Sequence, residues 1–244
     1  MQPSFKSSPT GHAWFAFLLV LFMGPSASAA DFSIQTSGSA RQLAFARYTT
    51  SYAERDAFAN SGPIGVFIEA SLPHLYKSVT LTAVRTCGEN QPYQLRIVQI
   101  VGDGTAAGEG IDRYLALRQQ IDLLPLSSVA ITPTNYKFHF AGEVRTGGAD
   151  AYIYDITPKK NRLGLVLGQL WMDSTTGNEL ILSGSMTDPT STSGRIEFVR
   201  DTKLVNGTVY ARVTHVTLMI PLLGRAEVSV TEVPLLAELI PDRQ

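Results

Sequence analysis

The sequence predicts an α+β fold in which an antiparallel sheet of about ten strands curls on itself under one or two helices. From residue 64 onward, short runs rich in β-branched and aromatic residues alternate with turn residues. One longer run, Glu109–Leu124, instead has apolar residues at helical spacing. Because two helices cannot cover both faces of so large a sheet, it is expected to close wholly or partly into a barrel.

The predicted strands follow one another through residues that favour turns. Gly147-Gly148 and Asn206-Gly207 favour tight hairpins, because both central positions of such turns can take positive φ. Successive hairpins indicate an antiparallel meander. The predicted strands are Ile64–Ser71, Leu75–Arg85, Tyr93–Val101, Tyr136–Arg145, Asp150–Thr157, Leu165–Asp173, Glu179–Met186, Arg195–Leu204, Thr208–Ile220 and Arg225–Glu232.

Two helices are predicted to cover this sheet. The run Glu109–Leu124 ends before Pro125, and its apolar residues form one stripe. The residues of this stripe are Ile111, Tyr114, Leu115, Ile121 and Leu124. A second, weaker helical pattern lies within Arg41–Asn60 and ends before Gly62-Pro63.

The N-terminus is typical of a secretory signal peptide. Lys6 precedes an apolar run from Ala13 to Gly24, and small residues follow it. Cleavage is expected before Ala30, which leaves residues 30–244 as a single exported domain. The alternative, a membrane anchor, fits less well because the run is shorter than the roughly 20 residues that a span needs. No cysteine follows the small residues, so a lipid anchor is not expected.

Composition narrows the function classes. A net charge of -1 with 17% charged residues does not fit a basic nucleic-acid binder. The one cysteine, Cys87, excludes internal disulfides, and it is expected to be inert or to pair with another chain. His74, His139 and His215 show no spacing typical of a metal site or of a nucleophile and its base. We therefore expect no catalytic residue, metal site or cofactor.

The remaining candidate site is apolar and aromatic. Eight such side chains lie in the middle of predicted strands, where a curled sheet would collect them. They either line a cavity for an acyl chain or another apolar ligand, or simply fill the core; the sequence leaves both open. They are Phe138, Phe140, Tyr152, Tyr154, Leu170, Trp171, Leu182 and Phe198.

The segment 152–201 resembles the periplasmic lipoprotein-carrier superfamily, which includes LolA-like proteins and RseB-like stress sensors. The resemblance lies in Thr157-Pro158-Lys159-Lys160, then Leu170-Trp171-Met172-Asp173, then Thr176-Gly177. The pair Asn178-Glu179 departs from it, since many members have a proline there. The resemblance implies an unclosed, strongly curved antiparallel barrel with helices as a lid over an apolar cavity.

The resemblance implies a non-enzymatic periplasmic protein that binds a lipid or a lipidated protein, as a carrier or a sensor. Its further partner would be another envelope or outer-membrane protein. In this interpretation the stripe on Glu109–Leu124 forms the lid. The alternative is a structural or interaction module of the cell envelope with a filled barrel. A third hypothesis, an enzyme, has no motif to support it.

Overall fold

The computed structural model describes residues 29–50, 62–86, 94–102, 104–146, 149–187, 195–205 and 208–235. Residues 1–28 of the predicted signal peptide, Cys87, and the predicted turns at 147–148 and 206–207 lie outside the described residues.

Three α-helices are described. Helix α1 spans Ala29–Thr50, α2 spans Gly104–Asp122, and the short α3 spans Leu126–Val129. The predicted helix at Glu109–Leu124 is therefore confirmed, although it begins and ends earlier. The weaker pattern in Arg41–Asn60 is helical as far as Thr50, and 51–61 are outside the described residues. None of the helices in the described ranges is long and apolar enough to cross a membrane.

All ten predicted strands are present, with ends within two residues of the prediction. A single 3-10 turn at Pro73–Leu75 joins the first two. The strands are β1 Ile64–Leu72, β2 Lys77–Thr86, β3 Gln94–Gly102, β4 Tyr136–Thr146, β5 Ala149–Pro158, β6 Val166–Asp173, β7 Glu179–Thr187, β8 Arg195–Val205, β9 Thr208–Ile220 and β10 Gly224–Pro234.

The ten strands form one antiparallel sheet that stays open. Their order is β3-β2-β1-β10-β9-β8-β7-β6-β5-β4, so two meanders join where β1 pairs with β10. The sheet is not closed into a barrel, which confirms the unclosed form and excludes complete closure. Strands β3 and β4 are consecutive in the chain but lie at opposite edges. The segment between them, which contains α2, must therefore pass across the sheet.

One face of the sheet carries the core. In β1 the alternate residues Ile64, Val66, Ile68, Ala70 and Leu72 are all buried, whereas Phe67 and Glu69 point outward and are exposed. Helix α2 contacts β1, β2, β9 and β10 on this inner face, and α1 contacts β6. The inner face is thus covered in two places by two different helices.

Candidate functional site

The two helices cover two separate hydrophobic clusters on the inner face. The first cluster lies under α2 and includes Ile68, Leu81, Val228 and Ile111. The second cluster lies on β4–β7 and includes Tyr136, Tyr154 and Leu170, together with Ala44 and Tyr48 from α1. Phe198 packs against both clusters, so the two meet near the middle of the sheet.

A cavity of about 300 Å³ lies where the two clusters meet, under the C-terminal half of α2. Helix α2 and the segment after it form one side of the cavity, and strands β2 and β6–β10 form the other. Its apolar lining residues are Leu117, Ile121, Leu124, Leu126, Val129, Ile131, Val166, Leu182, Met186, Ile196, Phe198 and Val216.

Charged side chains line the same cavity. Arg85 on β2 contacts Glu232 on β10, with 2.6 Å between Nη1 and Oε1. Arg200 on β8 donates two hydrogen bonds to Glu179 on β7, from Nε at 2.8 Å and from Nη2 at 3.0 Å. Strand alternation points Arg85, Arg200 and Glu232 inward, and Glu179 reaches the same face at the register shift between Trp171 and Met172. These charged residues therefore lie side by side on an otherwise apolar face.

Helix α2 and strand β9 contribute the remaining charged residues of the cavity. Arg118 and Asp122 of α2 form an i,i+4 pair with Nε and Oδ1 3.4 Å apart. Arg212 on β9 lies opposite Glu232 on β10 and Thr202 on β8. The cavity lining thus includes four arginines, Arg85, Arg118, Arg200 and Arg212, and three acids, Asp122, Glu179 and Glu232. We call these seven residues the charged cluster.

The electrostatics of the charged cluster follow from its burial and its excess of arginine. Burial alone would raise the pKa of Glu232, but the charges of Arg118, Arg85 and Arg212 outweigh it and lower that pKa. Burial, and then the Arg200 charge, lower the pKa of Arg212 to about 10. Arg212 therefore still carries its charge at neutral pH, in surroundings that disfavour a further cation.

Two acidic groups of α2 have raised pKa values. Burial raises the pKa of Asp122, and the nearby Arg118 only partly offsets that effect. Burial also raises the pKa of the Tyr114 hydroxyl to about 12. The side chains of Tyr114 and Asp122, which line the cavity, are thus partly withdrawn from water.

Only some of the predicted cavity residues line the cavity under α2. Leu182 and Phe198 line the cavity under α2. Phe138, Phe140, Tyr152, Tyr154 and Leu170 lie on the same inner face, in the second cluster, and do not line this cavity. Of the predicted lid, Tyr114, Ile121 and Leu124 line the cavity, whereas Ile111 and Leu115 pack on the first cluster.

The aromatic residues of the second cluster pack against α1. The Phe45 ring lies 5.0 Å from the Phe138 ring, edge to face, and 5.4 Å from the Tyr154 ring. The Arg41 guanidinium lies 4.2 Å from the centre of the Phe140 ring, in cation–π geometry. For these residues the filled-core interpretation fits the packing better than a cavity wall.

Trp171 lies on the opposite face of the sheet from its sequence neighbours Leu170 and Met172, which are fully buried. Its Nε1 lies 3.4 Å from Gln169 Oε1, and Gln169 Nε2 donates to Asp155 Oδ1 at 2.9 Å. Trp171 is therefore not brought together with the other predicted cavity residues.

The hairpin that follows Trp171 holds α1 in place. Asp173 Oδ1 accepts hydrogen bonds from the Thr176 backbone N–H at 2.6 Å and the Thr176 hydroxyl at 2.8 Å. Gly177 has φ +75, and a Cβ there would lie 2.6 Å from the Ala44 carbonyl oxygen and 2.8 Å from the Tyr48 nitrogen. Only glycine allows α1 to approach so closely. The Asp-x-x-Thr-Gly pattern thus has a structural role, because it forms the turn against which α1 packs.

The charged cluster is the feature that sequence reasoning missed. A signal for it exists in the strand alternation. In β2, Val79, Leu81 and Ala83 are buried and the next inward position is Arg85; in β10, Val230 is followed inward by Glu232. By contrast, His74, His139 and His215 are all exposed. Among the described residues there is no group of three His, Cys, Asp or Glu side chains that could hold a metal ion.

Comparisons with known proteins give structural neighbours only. No family model and no curated protein matches the chain. A LolA superfamily protein from Nitrosomonas europaea is 10% identical, with a TM-score of 0.32, and the match covers 72% of this chain and 87% of that one. A DUF1329 family protein from Desulfovibrio piger is 12% identical, with a TM-score of 0.37, over 79% and 90%.

A third neighbour is found in the MucA/MucB complex of Pseudomonas aeruginosa. It is 14% identical, with a TM-score of 0.24, and the match covers 77% of this chain and 94% of that one. The first neighbour carries the name of the superfamily that segment 152–201 resembles. At such identities and TM-scores, the function has to be inferred from the residues of this chain.

Proposed function

We propose that this protein binds an amphiphile in the cavity between α2 and the inner face of the sheet, as a carrier or a sensor and without catalysis. The observation that supports this most is the combination, in one cavity, of an apolar wall with a band of charged side chains. A core with only a structural role would have apolar groups there, because removing charged groups from water costs free energy that their pairing does not always recover.

The apolar wall would hold the acyl chain. The cavity volume of about 300 Å³ lies at the lower end of the range for small-molecule sites, about 300–1,000 Å³. An acyl chain that leaves water gains ~0.8 kcal/mol for each buried CH₂ group. Several methylene groups would therefore suffice for binding without any covalent chemistry.

The C-terminal half of α2 would act as the lid. Its N-terminal half is held close to the sheet, since a Cβ at Gly110 would lie 3.6 Å from the Cβ atoms of Ala226 and Ala70. Beyond it, Tyr114, Ile121 and Asp122 lie over the cavity, and Leu123 is 71% exposed. A larger ligand could be admitted by moving this second half while Ile111 stays buried.

The compartment and partners belong to the same proposal. We infer export to the periplasm as a single domain after cleavage before Ala30, on the basis of the N-terminal sequence. The ligand would be a lipid or the acyl chain of a lipidated protein, which is handed to or reported to another envelope protein. Neither a metal nor a cofactor has a part in this function.

The test is ligand uptake by the exported chain. Native mass spectrometry would detect a copurified lipid, and titration with a fluorescent fatty acid would measure binding. Thr214→Phe places a ring in the cavity from β9, whereas Thr217→Phe adds the same ring to the outer face of the same strand. We expect weaker probe binding in the first variant only. No bound mass and no uptake by folded wild type would contradict the proposal.

An interaction module of the envelope is the second candidate. The observation that favours it is edge strand β3, where Ile97, Val98, Ile100 and Val101 are each more than half exposed. An edge strand with apolar side chains on both faces can pair with a strand of another protein. This function predicts stable complexes and no probe uptake, so the same mass spectra discriminate the two.

A further inference from the structure

We infer that the head group of the bound amphiphile carries a single negative charge, a carboxylate or a phosphodiester, and lies against the guanidinium groups of the charged cluster. This inference rests on the proposed function and specifies the class of ligand. It follows from the count of charges in the cavity, from their positions on the strands and from their partial burial.

The charged cluster contains one more cation than anions. Four arginines and three acids line the cavity. Glu232 contacts Arg85, Glu179 contacts Arg200, and Asp122 contacts Arg118. Whichever acid Arg212 lies near, the cluster as a whole retains one excess positive charge when all seven groups are ionised.

The strand register places Arg212 in the middle of the charged cluster. Arg212 lies opposite Glu232 of β10 on one side and opposite Thr202 of β8 on the other. Arg200 is two residues before Thr202 on β8. Burial, and then the Arg200 charge, lower the pKa of Arg212 to about 10. The surroundings of Arg212 therefore disfavour its own cation, and an added anion would relieve that cost.

The size of the excess selects a monoanion. One carboxylate or phosphodiester would bring the cavity to neutrality, whereas a phosphate monoester with two charges would leave a net negative charge in a partly enclosed site. Planar guanidinium groups also suit a carboxylate, which accepts two parallel hydrogen bonds. The chain of the ligand would extend along Leu182, Ile196 and Phe198, which line the same cavity.

The experiment compares three ligands with one chain length and different head groups. Dodecanoate, dodecanol and dodecyl phosphate are titrated into the exported protein at neutral pH, and the dissociation constants are compared. We expect dodecanoate to bind about 10- to 100-fold more tightly than dodecanol, the range of a charge-assisted hydrogen bond. Dodecyl phosphate should bind less tightly than dodecanoate. Acetate alone should not displace dodecanoate, because the chain contributes to binding.

Two variants attribute the preference to the cluster. Arg212→Gln should abolish the preference for dodecanoate while dodecanol still binds, and Arg212→Lys should retain it. Arg225→Gln is the matched control, because Arg225 lies on the exposed face of the neighbouring strand. It should leave all dissociation constants unchanged.

The possible outcomes separate the two proposals. Equal binding of dodecanoate and dodecanol by the wild type would overturn the inference about the head group and leave the proposed function standing. Binding of neither ligand would overturn the proposed function itself. A tighter dodecyl phosphate complex would overturn the single-charge assignment. If Arg212→Gln does not fold, the comparison of the three head groups in the wild type still decides.

Discussion

Replacing Glu179 by glutamine removes one charge of the charged cluster without changing its shape. In the wild type, the Glu179 carboxylate accepts hydrogen bonds from Arg200 Nε and Nη2 at 2.8 and 3.0 Å. The glutamine amide can accept only one of these, and its NH₂ group would face a guanidinium donor. Arg200 would then be left partly buried with an incompletely satisfied charge.

The expected loss of stability follows from the exposure of the two side chains. Removing one partner of a fully buried pair costs about 3–5 kcal/mol, and hydrogen bonds to charged groups contribute about 1.5–3 kcal/mol. The Glu179 side chain is only 10% exposed, but Arg200 is 28% exposed and keeps some contact with water. We therefore expect a loss of roughly 2–3 kcal/mol, or roughly 5–10 °C in Tm for a chain of this size.

Thermal unfolding by circular dichroism measures this loss against a matched control. Asp201→Asn breaks the ion pair with Lys203, whose side chains are 40% and 46% exposed, and should cost less than about 1 kcal/mol. Dodecanoate should raise the Tm of Glu179→Gln more than that of the wild type, because the variant cluster has a larger excess of positive charge. Equal Tm values for Glu179→Gln and Asp201→Asn would refute the reasoning.

Three further predictions concern the two halves of the inner face. Gly177→Ala should destabilise the protein by more than about 2 kcal/mol, measured by urea unfolding, because a Cβ meets the backbone of α1; Gly62→Ala, which has positive φ (+114) but open space, should cost only about 1–2 kcal/mol. Leu170→Ala should cost about 2–5 kcal/mol without weakening probe binding, whereas Leu182→Ala should change probe affinity, since only Leu182 lines the cavity. The pKa of Tyr114 is raised from 10.0 to about 12, so its contribution to stability is complete below pH 10 and is lost as the pH rises through about 12. The unfolding free energy of Tyr114→Phe should therefore fall less steeply over that interval; parallel decreases in both proteins would contradict this.

The strands and the covering helix could be predicted because each has a local signature. Turn residues mark the ends of the strands, and the apolar stripe with Pro125 marks α2. Helix α1 gives a weaker signal, because its apolar residues do not form one stripe; among its residues 38–50, whose burial is described, only Ala44 and Tyr48 are fully buried. The position of α1 depends on its contact with the turn at Gly177, which is distant from α1 in the chain.

The division between filled core and open cavity could not be predicted. It depends on which helix lies over which strands, and both Leu170 and Leu182 have the same sequence pattern. Trp171 illustrates a second limit. Its strand is apolar on both faces, so alternation does not assign a direction, and the register shifts between Trp171 and Met172. Strand alternation places Arg85 and Glu232 on the inner face, but their pairing was beyond local reasoning, since β2 and β10 meet only through the sheet.

The location of the ligand is the central claim, and nuclear magnetic resonance with a doxyl-labelled stearate tests it most directly. The paramagnetic label broadens methyl signals only near the bound chain. We expect the strongest broadening at Ile121, Leu182 and Ile196, which line the cavity, and weaker broadening at the exposed Ile97 of edge strand β3. Broadening confined to the exposed methyl groups of β3, such as Ile97, would contradict the account and favour the edge strand as the binding surface.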